Sequence, residues 1–123
     1  MRYMVMLSMR SDVGPPPPEL MEAMDAAMGE AFASGMMIDA GGLMSDQATT
    51  FTLRAGALSQ TDGPYAEAKE VVGGYAVLDV RSHAEAVEGA RRMMRVHLDH
   101  WPGWEGAAEV RRISEPSEGP PPS

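Results

Sequence analysis

Gly74-Tyr75-Ala76-Val77-Leu78-Asp79-Val80 is the stretch on which the fold turns. In a strand, successive side chains point to opposite faces. Here both alternating sets are apolar, with Asp79 the one exception. A strand with one wet face would alternate apolar and polar residues instead. Ser82 follows at once, with Glu85 three residues later, the spacing of a capping box. A helix is therefore expected from Ser82, fading near His97. Its apolar face carries Ala86, Val87, Ala90, Met93, Met94 and His97, and Glu88 can pair with Arg92 four residues on. A turn, His100-Trp101-Pro102-Gly103-Trp104, leads to a last strand at about 107–113.

Upstream, the chain opens in the same way. Residues 2–9 read as a buried strand, with Tyr3, Val5 and Leu7 on one face and Met4 and Met6 on the other. Pro15 to Pro18 lead into a helix over 18–34, since proline is well placed at a helix start. Its apolar stripe is Leu20, Met21, Met24, Ala27, Met28, Ala31 and Phe32, and Gly35 stops it. Strands are expected at 36–40 and 49–54, with a short return strand at 57–61 after Ala55-Gly56. A loop occupies 62–73. The order is β-α-β-β-β-α-β with the return strand in the middle. It predicts a ferredoxin-like α+β sandwich, an antiparallel sheet with two helices on one face. The opposite face of such a sheet should be polar, yet two strands are apolar on both faces. The expected cover is a second copy, packed sheet to sheet in a homodimer.

The bulk properties fit one domain. The chain has 123 residues, read as a domain over 1–113 and a Pro/Ser/Glu-rich tail over 114–123 expected to be disordered. A net charge of -8 argues against nucleic acid and against anionic membranes as partners. There is no cysteine, which removes disulfides and thiolate chemistry. The first residues read as a strand rather than a leader peptide, and no apolar run is long enough to cross a bilayer, so a cytoplasmic protein is expected. Twelve methionines are read as core filling rather than a copper site, because Met4 and Met6 face away from Met9. The Gly41-Gly42 and Gly73-Gly74 pairs lack the spacing of a dinucleotide fingerprint, and no phosphate-binding loop or nucleophile elbow occurs. No cofactor and no metal are expected.

The chemistry-bearing segment is Asp62-Gly63-Pro64-Tyr65-Ala66-Glu67-Ala68-Lys69-Glu70, followed by Gly73-Gly74-Tyr75. It concentrates ionisable groups in a loop shaped by glycine and proline, where binding and catalysis commonly sit. This run resembles the signature of the DGPF proteins, a group within the YCII-related superfamily. The opening Arg2-Tyr3-Met4 and the closing Glu109-Val110-Arg111-Arg112-Ile113 also resemble that family's end strands. Tyr65 stands where phenylalanine is usual, Ala68 where threonine is usual, and Arg112 where proline is common. The resemblance implies a ferredoxin-like fold, a dimeric α/β-barrel-like assembly and a cleft lined by this loop. Branches of the superfamily are linked to elimination or isomerisation on small ring compounds, and others to regulation. The superfamily's proposed dyad uses a histidine on the first helix; residues 18–34 contain none, so that dyad is not carried over.

Asp62 and His100 are the candidate catalytic residues. Asp62 can fix the Asp-Gly-Pro turn through its carboxylate, or act as a general base if burial or a neighbour such as Glu67 raises its pKa. His100 can serve as acid or base near neutral pH, and its turn resembles a His-Pro turn before the last strand of many DGPF proteins. Gly63, Pro64, Tyr65, Glu67, Lys69 and Tyr75 are candidate ligand contacts. Gly63 supplies a permissive backbone angle and Pro64 rigidity. Glu67 and Lys69 either orient a polar ligand or form a solvated charge run. Tyr65 and Tyr75 either wall the site or are core aromatics whose hydroxyls reach water. His97 is expected as a hydrogen-bonded core residue and His83 as exposed. A small enzyme that moves a proton on a small polar or aromatic metabolite is one reading. A non-catalytic ligand-binding or regulatory dimer is the other.

Overall fold

The computed structural model describes residues 1–10, 12–44, 46–63 and 70–120. Its elements are β1 (Arg2–Arg10), α1 (Pro18–Ala33), β2 (Met37–Gly42), β3 (Thr49–Arg54), β4 (Ala57–Asp62), β5 (Glu70–Asp79), α2 (His83–His100) and β6 (Gly106–Arg112). The order β2-β5-β1-β6 makes one four-stranded antiparallel sheet, and β3-β4 is a separate hairpin. This is the α+β, ferredoxin-like arrangement that the element order predicts. The sheet is open, with β2 and β6 as its edges, and it does not close into a barrel.

One face of the sheet builds the core. Tyr3 and Val5 from β1 and Ala76 and Leu78 from β5 are buried with Val80 beneath Ala86 and Ala90 of α2. Met37, Ala40, Ala108 and Val110 extend this layer to both edges. The small residues of α2 let it approach closely: a Cβ added at Gly89 would stand 3.4 Å from Leu78 Cδ1. α1 lies beside α2 and β2 and buries Leu20 and Ala31. The Ser82 hydroxyl accepts the Glu85 N–H at 3.2 Å, as its spacing predicts. The Glu85 carboxylate turns instead to the Arg81 N–H at 3.0 Å, one residue ahead of the reciprocal capping-box donor.

The other face carries the alternate residues: Asp39 and Gly41 of β2, Val77 and Tyr75 of β5, Met4 and Met6 of β1, Arg111 and Glu109 of β6. Met4, Met6 and Val77 are half-buried by their own sheet neighbours, and no helix of the described residues covers them.

Several boundaries differ from those expected, among them β2, which runs on through Gly41 and Gly42 to pair with Tyr75 and Gly74 instead of stopping at residue 40. β5 begins at Glu70 rather than 74, because Val71 and Val72 pair with Met9 and Ser8 across a bulge that takes up Gly73. Glycine suits that bulge, since a Cβ there would run into the Met9 side chain. β4 extends to Asp62, so this residue ends a strand instead of opening a loop. α2 runs to His100, three residues past its expected fading point. The hairpin turns through Ala55 and Gly56 at φ 52° and 77°, the left-handed pair of a two-residue turn matched to strand twist. Within the stretch that composition marks as tail, Pro116–Glu118 form a 3-10 turn. Arg112 grips the Glu118 carboxylate with two nitrogens, at 2.6 and 2.7 Å.

Candidate functional site

Strand register defines one end of the sheet. Arg10 at the end of β1 pairs with Glu70 at the start of β5, Met9 pairs with Gly106 at the start of β6, and Gly42 at the end of β2 pairs with Gly74. These strand ends share one end of the sheet. α2 runs back from the opposite end, where β5 finishes, toward this one and ends at His100.

Asp62 is exposed at the base of the β3–β4 hairpin. Its Oδ1 accepts from Thr49 Oγ1 at 3.2 Å and from Gln60 Nε2 at 3.0 Å. Both are side-chain donors. Gly63 has φ 87°, the left-handed angle that glycine adopts without strain. Its N–H donates to the Ala48 carbonyl at 2.6 Å and closes the hairpin base. One side of the ribbon carries Asp62, Gln60 and Leu58 across from Thr49, Phe51 and Leu53. Phe51, Leu53 and Leu58 on that side are exposed. The carboxylate therefore caps an uncovered apolar strip. Pro64, Tyr65, Glu67 and Lys69 lie outside the described residues.

His100 is half-buried, and its Nδ1 is 3.0 Å from the Val96 carbonyl oxygen. A carbonyl only accepts, so Nδ1 carries the hydrogen and the neutral ring keeps the Nε2 lone pair. His97 makes the same bond to Met93 at 2.9 Å but is buried, against Trp104 at 4.6 Å between ring centroids. It is the packed, hydrogen-bonded residue its position predicts. His83 is exposed, as expected, and tilts against Tyr3 at 5.6 Å. No hydrogen bond joins Asp62 to His100 among the described residues.

Tyr75 is on the open face of the sheet rather than in the core. Its hydroxyl donates to Asp39 Oδ2 at 3.2 Å. The charge of Asp39, then this hydrogen bond, pushes the Tyr75 phenol up from its ordinary pKa, so it stays protonated. The ring lies across Gly41, where a Cβ would come within 2.9 Å of Cε1. Asp39 Oδ1 accepts the Ala40 N–H at 2.9 Å, so both carboxylate oxygens are engaged. Asp39 is not among the residues that the sequence marks as a site. Its signal is a lone carboxylate in the otherwise apolar strand Met37-Ile38-Asp39-Ala40.

Among the described residues, no three His, Asp or Glu side chains gather as a metal site. A hollow of about 590 Å³ lies at the opposite end of the sheet, bordered by Met1, Ser34, Asp79, Arg81 and Glu85. It does not include Asp62, Tyr75 or His100. No helix of the described residues is long and apolar enough to cross a membrane.

The chain matches the YCII-related domain over residues 1–115. It belongs to the YCII-related family. No curated protein matches it. Membership in the YCII-related family agrees with the four-stranded ferredoxin-like sheet and names no activity.

Proposed function

We propose that this YCII-related protein is a homodimer that binds a small polar or aromatic metabolite and moves a proton on it, by elimination or isomerisation. The observation that supports this most is His100. Its Nδ1–H is committed to the Val96 carbonyl, which leaves Nε2 as a base near the end of the sheet where β5 begins. In this reading His100 takes the proton. Asp62, already holding Thr49 and Gln60, orients the loop and the ligand. The uncovered apolar face with Met4, Met6 and Val77 supports the homodimer, because a hollow shared between two sheets is not enclosed by one subunit.

Proton transfer can be tested before a substrate is known. Small aromatic acids, phenols and lactones that bind are incubated with the protein in deuterated water, and their C–H signals are followed by NMR. Wild type should wash deuterium into a bound compound. His100→Gln should keep binding and slow the exchange by roughly 10²–10⁴-fold, the usual share of a general base. Equal exchange by His100→Gln would remove His100 from the chemistry. The two bonds that already engage Asp62 Oδ1 favour a second reading, a non-catalytic ligand-binding dimer. That reading predicts binders without any exchange in wild type.

A further inference from the structure

The outer surfaces of the two helices carry opposite charge. α2 presents Arg91, Arg92 and Arg95, with Leu98 70 % exposed in the next turn. Arg91, Arg95 and Leu98 have the i, i+4, i+7 spacing of one helix stripe, turned away from the buried Ala86, Ala90 and His97. Among the described residues, Glu88 alone reaches these arginines, loosely, at 3.8 Å from Arg91 and 3.9 Å from Arg92. α1 presents Glu19, Glu22, Asp25 and Glu30, all exposed, and contains no lysine, arginine or histidine. Glu22 and Asp25 lie on the far side of α1 from the buried Leu20 and Ala31. The two helices pack side by side, yet among the described residues no salt bridge joins them.

We infer that two copies of this chain associate helix layer to helix layer, about a two-fold axis along the groove between α1 and α2. The carboxylates of each α1 then meet the arginines of the other copy's α2. This contact lies on the opposite side of the molecule from the open sheet face and does not rest on the homodimer reading above. β1 and β2 both pair antiparallel with β5, so they run the same way and α1 returns between them; α2 returns from β5 to β6 and runs opposite to α1. The axis lays α1 of one copy over α2 of the other and keeps that antiparallel sense. Opposite charges meet twice, once on either side of the axis. An axis across the helices would instead lay α1 on α1 and α2 on α2, acid on acid and arginine on arginine. Charge complementarity selects the first axis. Ala26 and Gly29, exposed among the α1 carboxylates, leave room for the arginine stems and Leu98. The helices are about 24 and 27 Å long and about 9 Å apart, a layer of roughly 500 Å². A stable complex buries about 800 Å² per partner. The association is therefore weak and salt-sensitive, with a Kd nearer about 1 mM than about 1 μM.

The test is charge reversal read by sedimentation equilibrium at up to about 1 mM protein, with circular dichroism to confirm folding. One variant reverses α1 (Glu22→Arg with Asp25→Arg) and another reverses α2 (Arg91→Glu with Arg95→Glu). All four residues are exposed on the helix layer, so any unit formed through the sheet face is common to every sample. Wild type should gain mass with concentration beyond that unit. Each variant alone should do so at least about tenfold more weakly. An equimolar mixture of the two should associate more tightly than either, because an all-basic layer meets an all-acidic one. Each reversal changes the charge by two, so the variants carry -4 and -12 against -8 in wild type. Bulk repulsion alone would make the α1 variant the most strongly associated sample, ahead of the mixture, and that result would overturn the inference. A wild type that keeps one mass up to about 1 mM would overturn it too. If a reversal fails to fold, Glu22→Gln with Asp25→Asn and Arg91→Gln with Arg95→Gln take its place. The first of these should weaken association although it lowers the net charge to -6 from -8; equal or tighter association would overturn the inference.

Discussion

Gly41→Ala is the sharpest probe of the uncovered face. A Cβ at this position would stand 2.9 Å from Tyr75 Cε1, 3.3 Å from the hydroxyl oxygen and 3.4 Å from Cζ. Relaxed carbon contacts are about 3.5–4.0 Å, so the ring must retreat by roughly 0.6–1 Å. The phenol cannot follow while keeping Asp39, because that bond is already 3.2 Å, long for O–H···O. Overpacking of this kind costs about 1–3 kcal/mol, and the lower unfolded-state entropy of alanine returns about 0.4–1 kcal/mol. The net loss lies between about 0 and 2.6 kcal/mol, read by urea denaturation at one fixed protein concentration. Tyr75→Ala removes the obstacle, so Gly41→Ala on that background should be neutral or stabilising. A second readout is the ultraviolet titration of tyrosine, with Tyr75→Phe identifying the contribution of Tyr75. In Gly41→Ala that phenol should ionise at lower pH than in wild type, as Asp39 no longer faces it. An equal cost of Gly41→Ala in both backgrounds would refute the ring-over-glycine reasoning.

Leu78→Ala should lose about 2–5 kcal/mol in the same urea assay, since Leu78 is 2 % exposed beneath α2 and the site cannot collapse. A loss below 1 kcal/mol would mean that α2 is not seated on β5. Ser82→Ala removes the acceptor of the Glu85 N–H and should cost about 1 kcal/mol, with faster amide exchange confined to the first turn of α2. The 3-10 turn gives a pH signature. The Arg112 guanidinium, then the Glu115 N–H, holds the Glu118 carboxyl well below its ordinary 4.5, at about 2. A depressed carboxyl stabilises the turn fully above the ordinary value, and the contribution is lost as pH falls from there through about 2. The Glu118 side-chain signals should therefore titrate near 2, and Arg112→Ala should move that midpoint up toward 4.5.

Most of the fold was legible because it is written in periodicities. The double apolar alternation of 2–9 and 74–80 marks the two central strands, and β1 and β5 do lie side by side in the sheet. The Ser82–Glu85 spacing and the glycine at 35 mark helix ends by local chemistry. What escaped depends on pairing between distant segments. Nothing local announces that Val71 and Val72 continue β5, because two glycines follow them. Only the register with Ser8 and Met9 makes Gly73 a bulge rather than the end of a loop. His100 likewise looked like a turn residue beside Trp101-Pro102. Its bond to the Val96 carbonyl draws it into the last turn of the helix.

The site was less legible for a related reason. Ionisable residues crowded in one loop are visible in a sequence, and they drew the reading to Asp62 and its neighbours. A single Asp39 in β2, 36 residues from Tyr75, carries no such mark. It acquires meaning only when register sets it across from Val77, Met4 and Arg111 in one row. Composition also hides the row, because the net charge of -8 suggests uniform self-repulsion between copies. Like charge over a whole surface is screened within about 8–10 Å at ordinary ionic strength, whereas an opposed pair in contact is screened much less. Association in the proposed homodimer is therefore governed by which residues meet, not by the sum of charges. If that is correct, raising salt from 0.05 to 0.5 M, values chosen as roughly a threefold change in screening length, should weaken wild-type association despite the high like charge. Tightening with salt would instead mean that bulk repulsion outweighs any local pairing of opposite charges.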